Sequence, residues 1–363
     1  IVKIHNFCYY PYSFLLLLHY NNVQKLDFLS FCQLINHIAM DYLSIIKEPI
    51  RSEIVEFNSY FKEQFKSDIK LLDTALLYVS ESVGKMMRPM LLMLVAKSIG
   101  EVNKKTFAAA ASMELLHTAS LLHDDVIDES DKRRGRPSVN VAFNNNIAVL
   151  SGDYMFSQSL NCVAETENTS VVSEISSLGK ALSKGEILQF QLQQSGEYNE
   201  ENYLNVISCK TASLFKCSCA CAVLTAGYDK ELFDRFVEFG ENIGICFQIK
   251  DDIFDYYKSD VGKPTGSDMR EGKITLPALY VLKNSKNPVL LPIKDKLAKG
   301  EILDEKEIES LIGISLEEGG VEYALSQIEY YRQCALEALP VGLSQEFYNA
   351  FTAYIDYVIK REK

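Results

Sequence analysis

Proline is missing from a long central stretch of this chain. Pro137 and Pro264 bound a stretch with no proline between them. Because proline breaks helices and marks the turns of loop-rich folds, a gap of this length favours long helices. The segment 106–123 (TFAAAASMELLHTASLLH) combines strong helix formers with apolar residues on nearly every face. It predicts a central buried helix.

Amphipathic helical patterns recur elsewhere, at 54–65, 232–255 and 321–337. We find no alternating apolar and polar runs bounded by Asn-Gly or Asp-Gly turns, which would indicate strand hairpins. The predicted fold is therefore all-α, with a single domain from about Met40 to the end of the chain.

The first 39 residues differ from the rest. They contain no methionine and only three charged side chains, Lys3, Lys25 and Asp27. The apolar run at 14–18 is too short to cross a bilayer, and no small-residue cleavage site clearly follows it. We therefore expect the natural start at Met40. On this hypothesis residues 1–39 are a non-native upstream extension without a domain, and residues 40–363 form the functional domain.

The charge balance limits the partners of the chain. Its 363 residues include 49 acidic and 37 basic side chains, for a net charge of −12. Such a surface repels phosphate backbones, so we expect no nucleic-acid binding, and any basic cluster must serve a specific anion. Nine cysteines without paired spacing fit a reducing cytoplasm better than a disulfide scaffold. Cys217, Cys219 and Cys221 point to different sides of a helix, which predicts small buried thiols rather than a metal site.

Two acidic motifs of the form D-D-x-x-D each follow an apolar run, in LLHDDVIDES and in FQIKDDIFDY. Positions i and i+4 share a helix face, so Asp124 is expected to pair with Asp128, and Asp251 with Asp255. Paired carboxylates repel each other unless a cation joins them. Hard oxygen ligands of this kind suit Mg²⁺, which completes its octahedron with waters and phosphate oxygens. One such motif is usually a solvated helix end, but two behind apolar runs predict metal sites at the mouth of an apolar interior.

Cationic loops complement the acidic motifs. Helix breakers fall in GKMMRP, RRGRP and GKPTG, and each of these loops carries lysine or arginine. The cations in these loops, near them or in the segment KTASLF are Lys85, Arg88, Arg133, Arg134, Arg136, Lys210, Lys263 and Lys273. Any one of them alone would more often be a surface charge. Beside two Mg²⁺-type clusters they predict a pocket for diphosphates, because arginine binds phosphate bidentately and lysine acts as a point charge.

With these motifs the chain resembles the trans-isoprenyl diphosphate synthases, the polyprenyl synthetase family. The resemblance runs from about Glu53 to the C-terminus and rests, in the family's order, on GKMMRP, ELLHTASLLHDDVIDES, RRGRPS, SGDY, KTASLF, FQIKDDIFDY, GKPTGSD and KITLP. It implies a bundle of long, mostly antiparallel helices around a deep central cavity, usually as a homodimer. It also implies head-to-tail condensation of isopentenyl diphosphate with an allylic diphosphate, with release of pyrophosphate.

The resemblance also implies roles for single residues. Roughly three Mg²⁺ ions would bind with the substrate diphosphate at Asp124, Asp125, Asp128, Asp251, Asp252 and Asp255. The allylic diphosphate would be held and ionised by Arg133, Lys210, Gln248 and Lys263, together with Thr211 and with help from Lys273. Isopentenyl diphosphate would be held by Lys85, Arg88, His117 and Arg134. A lone histidine on an apolar helix is usually a core residue, and only the match of ELLHTAS to the family reverses this reading for His117.

The implied chemistry agrees with physical expectation. An allylic diphosphate ionises when Mg²⁺, lysine and arginine neutralise the charge that develops on the leaving pyrophosphate. Water would quench the resulting allylic cation, so apolar walls must exclude it. No side-chain base stands out in the sequence, and the released pyrophosphate is therefore the expected acceptor of the final proton.

The residues before Asp124 set the expected product length. Short-chain family members place an aromatic residue four or five positions before the first aspartate, where this chain has Ser120 and Ala119. Both are small, so a growing prenyl chain can pass. Leu116 and Met113, one and two turns deeper, restrict the path without sealing it. We therefore expect a long all-trans product, around octaprenyl diphosphate.

The first loop departs from the family pattern G-G-K-R-x-R-P, because Val83 and Met86 replace the first glycine and the first arginine. Lys85 and Arg88 remain, so isopentenyl diphosphate binding is expected to survive with altered affinity. We expect a cytoplasmic enzyme without an integral membrane segment, with at most peripheral membrane association for product release.

Three alternatives remain open on sequence alone. The product could be farnesyl or geranylgeranyl diphosphate if another helix closes the tunnel. A class I terpene cyclase shares the helical cavity and one D-D-x-x-D cluster, but its second metal site usually mixes Asn, Ser or Thr with Glu. A non-catalytic synthase subunit would be expected to lose aspartates or the contacts of Lys210 and Arg133, and none of these is lost.

Overall fold

The structure is a computed structural model that describes residues 41–82, 84–257 and 265–361. The predictions for residues 1–39 and for a start at Met40 concern residues outside this set, as do those for Val83 and Lys263. The segment Tyr42–Lys363 forms one compact unit.

The described residues are almost entirely helical, which confirms the all-α prediction. The first half contains α1 (Tyr42–Lys47), a 3₁₀ turn (Glu48–Ile50), α2 (Arg51–Glu63), α3 (Lys70–Ser80), α4 (Met87–Ile99), α5 (Lys104–Ile127), α6 (Val139–Ala142), α7 (Asn145–Glu165) and α8 (Thr169–Ser195). The second half contains α9 (Glu200–Ile207), α10 (Ser213–Ala226), α11 (Lys230–Phe254), α12 (Ser267–Arg270), α13 (Leu276–Asn284), α14 (Leu290–Leu297), α15 (Glu305–Glu317), α16 (Gly320–Ala338) and α17 (Gln345–Lys360).

Helix α5 is the central buried helix that the sequence predicts. Asn103 caps its start: the side chain accepts hydrogen bonds from the backbone N–H groups of Lys105 and Thr106, and the Thr106 hydroxyl accepts one from the Asn103 N–H. Its apolar faces are buried against α4, α7, α8 and α10. The buried hydroxyls of Ser112 and Ser159 hydrogen-bond each other and the opposite backbone carbonyls, so this packing leaves them satisfied. The C-terminal end of α5 carries the first aspartate motif.

A π-helical turn, Ser208–Ala212, joins α9 to α10 without a break. The extra residue in such a turn changes the direction of the side chains, and π turns often occur at functional sites. Here the turn carries Lys210 and Thr211. The continuous run Glu200–Ala226 is long and apolar enough to cross a bilayer by composition, but 67% of its most apolar window is buried within the protein. Burial of that extent fits a core helix.

Two shorter segments, the RRGRP loop and the one with three cysteines, can also be compared with the sequence. Strands β1 (Lys132–Arg133) and β2 (Arg136–Pro137) pair antiparallel and turn the RRGRP loop into a small hairpin, which the sequence does not predict. Cys217, Cys219 and Cys221 are buried and free, as predicted.

Candidate active site

A cavity of about 1020 Å³ opens between the C-terminal ends of α5 and α11. Its polar wall brings together many of the predicted site residues: Lys85, Arg88, His117, Asp124, Arg133, Arg134, Lys210, Thr211, Gln248 and Asp251. Its apolar wall includes Leu182, Leu214, Phe215, Phe247 and Phe254. A smaller cavity of about 250 Å³ shares Lys210, Thr211 and Gln248 with it and is also lined by Lys273 and Asp252.

The first aspartate motif presents one open and one paired carboxylate. Asp124 faces the cavity, and its carboxylate accepts no hydrogen bond from the described residues. Asp125 is buried and accepts hydrogen bonds from Arg133 Nε at 2.9 Å to each carboxylate oxygen, with Arg133 Nη2 at 2.7 Å. The hairpin thus directs Arg133 inward. Asp128, the C-cap of α5, lies 4.0 Å from Lys273 Nζ.

Burial and nearby carboxylates raise the pKa values of two aspartates of the first motif, Asp124 and Asp128. Burial and the Glu186 carboxylate raise the pKa of Asp124 to about 6. Burial also raises the pKa of Asp128. A bound cation would relieve both effects, because it favours the ionised carboxylate. A bound cation would therefore stabilise the ionised form of these carboxylates more than the protein does by itself.

The second motif is engaged at every aspartate. Asp251 accepts a hydrogen bond from Arg361 Nη2 at 3.0 Å. Asp252 is buried and accepts hydrogen bonds from the Tyr203 hydroxyl at 2.6 Å and from Gln248 Nε2 at 2.7 Å. Despite these bonds, burial and the neighbouring Asp268 raise the pKa of Asp252.

The pairing of Asp251 with Asp255 stays a prediction, and Asp255 itself is bound at the start of α12. Its carboxylate accepts hydrogen bonds from the Ser267 N–H at 3.0 Å, the Ser267 hydroxyl at 2.7 Å and the Asp268 N–H at 3.1 Å. These donors lie at the N-terminus of α12, where unpaired N–H groups attract a carboxylate. Burial and Asp255 together raise the pKa of Asp268 to about 7.

The donor set fits Mg²⁺ bound together with a diphosphate. Within the described ranges, no three His, Cys, Asp or Glu side chains are arranged to hold a metal ion by themselves. Mg²⁺ does not need such a cage, because it usually takes one or two carboxylates and fills its octahedron with water and phosphate oxygens. Asp124, with Asp128 one turn further along, and Asp251 on the opposite helix are the carboxylates best placed to share it.

Three of the predicted allylic-diphosphate residues, Lys210, Thr211 and Gln248, line both cavities. The Thr211 hydroxyl donates to Gln248 Oε1 at 2.6 Å, and Gln248 in turn donates to Asp252. Lys210 forms an ion pair with Glu186 and donates to Gln189 Oε1 at 3.2 Å. The π turn therefore places a cation and a hydroxyl side by side at the junction of the two cavities.

The predicted isopentenyl diphosphate residues form a second group with unsatisfied polar atoms. Among the residues that the structure describes, the buried atoms Arg88 Nε, His117 Nδ1 and Glu114 Oε2 have no hydrogen-bond partner. Burial, followed by the charges of Arg88 and Arg134, lowers the pKa of His117, so its imidazole is neutral. Buried polar atoms without partners are costly, and here they line a cavity where a ligand can bind them.

Gly84, the glycine of the GKMMRP motif, allows Arg134 to approach the backbone closely. A Cβ atom at this position would lie 2.8 Å from both terminal guanidinium nitrogens of Arg134. Arg134 also donates from Nη1 to the Ser82 carbonyl at 2.6 Å. The glycine therefore lets the guanidinium lie against the loop that carries Lys85. Arg136 points elsewhere, over the Tyr78 ring at 4.6 Å, and is not part of the cavity wall.

Of the four residues predicted to govern product length, Ser120 lines the cavity. The other three are buried in α5 and are not part of the lining found among the described residues. Met113 Sδ lies 2.9 Å from the Ser218 hydroxyl of α10, and Leu116 is within van der Waals reach of Gly179 on α8. Ala119 is 2% exposed and already closely packed.

Three charged residues of the cavity were not predicted from the sequence: Glu114, Glu186 and Arg361. Glu186 belongs to α8, and the signal for it is GEILQ, a glycine and two polar side chains within a helix. Arg361 follows α17, and its guanidinium stacks on Phe247 at 3.7 Å. Its buried Nε has no hydrogen-bond partner within the described part of the chain. Its position depends on the packing of α17 against α11, which no local motif encodes.

Comparisons with known proteins identify the family of this chain. The family model described as polyprenyl synthetase matches residues 69–312. The octaprenyl diphosphate synthase of Haemophilus influenzae is 30% identical over 86% of this chain and 94% of its own length. The crystal structure of a Caulobacter crescentus polyprenyl synthase, complexed with calcium and isoprenyl diphosphate, has a TM-score of 0.81 at 26% identity, covering 88% of this chain and 97% of that one. A geranylgeranyl pyrophosphate synthase from Bacteroides thetaiotaomicron has a TM-score of 0.76 at 40% identity, covering 89% and 100%.

Fold, site and relatives together define a prenyltransferase of isoprenoid biosynthesis. The chain belongs to the polyprenyl synthetase family. The family resemblance expected from the sequence motifs is therefore confirmed, and so is the isoprenoid synthase fold.

Proposed function

We propose that this chain is a Mg²⁺-dependent synthase that condenses isopentenyl diphosphate head-to-tail with an allylic diphosphate. It builds a long all-trans polyprenyl diphosphate, around octaprenyl, and releases pyrophosphate. The observation that carries the proposal is the arrangement of one cavity: an open acidic motif, a cation on a π turn and a second cation cluster with unpartnered buried atoms share its wall. Two anionic substrates need two such cationic clusters.

Ionisation of the allylic diphosphate is assigned to the first group. Mg²⁺ held by Asp124, Asp128 and Asp251 would neutralise the charge that develops on the leaving pyrophosphate. Lys210 and Arg133 add positive charge on the same anion, with Lys263 and Lys273 as further proposed contacts. The calcium and isoprenyl diphosphate bound by the Caulobacter crescentus relative support this arrangement.

The remaining aspartates of the two motifs act through their neighbours. Asp125 fixes the Arg133 guanidinium, and Asp252 fixes Gln248. The Gln248 and Thr211 oxygens lie beside Lys210, where they can stabilise the allylic cation as the carbon–oxygen bond breaks.

The second cation cluster binds isopentenyl diphosphate. Arg88 and Arg134 supply charge, His117 supplies a neutral ring nitrogen, and Lys85 adds a cation at the rim. Apolar residues exclude water from the cation. After the new carbon–carbon bond forms, a proton leaves the adjacent carbon, and the released pyrophosphate is the proposed acceptor, because no side-chain base stands out in the sequence.

The direct test is product analysis. Purified protein is incubated with farnesyl diphosphate and radiolabelled isopentenyl diphosphate, with and without Mg²⁺, and the dephosphorylated products are separated by chain length. We expect Mg²⁺-dependent products longer than geranylgeranyl. Accumulation of only farnesyl or geranylgeranyl products would favour the shorter-chain alternative, which the 40% identity to a geranylgeranyl pyrophosphate synthase keeps relevant. Turnover only after addition of a partner chain would favour the subunit alternative.

Ser120→Phe tests the route of the growing chain. Because Ser120 lines the cavity one turn before Asp124, a phenyl ring there should shift the product to shorter chains while leaving the first condensation active. Ala119→Phe is the matched control: its position is buried and off the cavity wall, so we expect lower folding stability, by about 1–3 kcal/mol, rather than a shorter product. An unchanged product from Ser120→Phe would contradict the proposed route.

We further propose a homodimer that works in the cytoplasm, with residues 40–363 as the enzyme domain and at most peripheral membrane contact. Large apolar side chains outside the cavity lining are exposed along α7 and at the start of α8, namely Val149, Leu150, Phe156, Leu160 and Val172. A set of this size on neighbouring helices is typical of an association surface. Light scattering of the purified protein tests this, and Leu150→Glu with Leu160→Glu should give a monomer.

A further inference from the structure

Lys210 is held by helix α8 in addition to its own π turn. Its ammonium forms an ion pair with Glu186 and donates to Gln189 Oε1 at 3.2 Å. Gln189 Nε2 in turn lies 3.5 Å from Glu186 Oε1, so each of the three polar groups contacts the other two. The Glu186 and Lys210 side chains are only 16% and 26% exposed, which strengthens their ion pair relative to one on the open surface.

The backbone of α8 is shaped for the same contact. A Cβ atom at Gly185 would lie 2.6 Å from Lys210 Cγ and 2.9 Å from Cys209 Cβ. Both neighbours are close to the backbone of the π turn and cannot swing away as the end of a long side chain can. Glycine at this position therefore permits α8 and the π turn to approach closely enough for Glu186 to reach Lys210.

Asp124 is a second carboxylate near Lys210. Asp124 lines the same cavity, and both Glu186 and Lys210 act electrostatically on it. A lysine side chain is long and flexible, so without Glu186 its ammonium would pair with Asp124. That pairing would occupy the carboxylate that the metal and the diphosphate need.

On the basis of the proposed function, we propose that Gly185, Glu186 and Gln189 form a cradle that positions Lys210. They hold its ammonium beside the allylic diphosphate site and away from Asp124. They are positioning residues, because they act through Lys210 rather than on the substrate.

Binding of Mn²⁺ with inorganic pyrophosphate, measured by calorimetry, tests the cradle without requiring turnover. In Glu186→Gln, Lys210 should pair with Asp124, and the affinity for Mn²⁺ with pyrophosphate should fall about tenfold. In Lys210→Met, no ammonium is available to block Asp124, so adding Glu186→Gln should change the affinity less than about twofold. Equal losses in both backgrounds would show that Glu186 acts directly on the metal. No loss in either would also overturn the proposal.

Three further measurements complete the test. Glu53→Gln is the matched control, since it breaks a similarly buried ion pair with Lys97 between α2 and α4, away from the cavity. It should leave the affinity unchanged. If Glu186→Gln does not fold, Glu186→Asp keeps the charge but is shorter by one methylene and should show the same loss in weaker form. In steady-state assays Glu186→Gln should raise the Mg²⁺ requirement about tenfold and leave KM for isopentenyl diphosphate unchanged. If the unmodified protein shows no prenyl transfer but the binding measurements give the expected results, the proposed function is rejected and the cradle is not.

Discussion

The two D-D-x-x-D motifs have the same spacing at the ends of two buried helices, yet they are held differently. At the end of α5, Asp124 is left open to the cavity. At the end of α11, Asp251 is bound by Arg361 and Asp255 caps the start of α12. The comparison shows that spacing specifies where carboxylates lie, while distant residues decide which of them can accept a metal. On the proposed function, we expect the first motif to bind Mg²⁺ directly and the second to exchange protein contacts for it.

The largest effect is expected at the open carboxylate. Asp124→Asn should lower kcat about 10³-fold, because it removes a direct ligand to the metal that neutralises the leaving pyrophosphate. Its thermal unfolding temperature should not fall, since the substitution removes a charge that burial disfavours. Steady-state assays measure kcat, and thermal unfolding measures the unfolding temperature. Asp234→Asn, at an exposed position paired with Lys230 on α11, is the control and should retain full activity. A loss of less than tenfold in Asp124→Asn would contradict the direct role.

Local sequence patterns specify the first motif better than the second. The helix over 106–123 and the cationic hairpin are both encoded nearby, and together they bring Arg133 to Asp125. The orientation of Asp255 depends on a turn that begins twelve residues later at Ser267. Arg361, which donates a hydrogen bond to Asp251, lies 110 residues further along the chain. Helical periodicity carries no information about such contacts, so the fold and the positions of both motifs could be predicted but the contacts of their carboxylates could not.

Acidic pH should weaken Mg²⁺ binding at the open motif. The pKa of Asp124 is raised to about 6, so protons compete with Mg²⁺ below that value. The Mg²⁺ concentration for half-maximal activity should rise about tenfold for each pH unit below 6 and level off above 7. A folded-state pKa above the unfolded value means that ionised Asp124 destabilises the metal-free fold as pH rises through 6. Mg²⁺ with pyrophosphate should therefore raise the unfolding temperature more at pH 8 than at pH 5, and an equal rise at both would contradict this account.

Arg361→Gln should make the second motif resemble the first. The substitution releases Asp251, so the Mg²⁺ concentration for half-maximal activity should fall about threefold. The same change removes a cation near Arg88, and KM for isopentenyl diphosphate should therefore rise about threefold. Arg332→Gln is the control, because that arginine pairs with Asp356 outside the cavity and its loss should leave both constants unchanged. A higher Mg²⁺ requirement in Arg361→Gln would show that Arg361 helps the metal to bind rather than competing with it.

The smallest effect on activity is expected at Asp255. Its carboxylate accepts three hydrogen bonds from Ser267 and Asp268, so we assign it to folding rather than to metal binding. Asp255→Asn presents an NH₂ group to one of these donors, and the free energy of unfolding should fall by about 1–3 kcal/mol. At a temperature where the protein remains folded, kcat should fall less than about threefold, because Asp251 still faces the cavity. A loss as large as that of Asp124→Asn, without loss of stability, would mean that Asp255 leaves α12 to bind Mg²⁺ during turnover. The two motifs would then be equivalent in the working enzyme, and their difference would belong to the substrate-free protein alone.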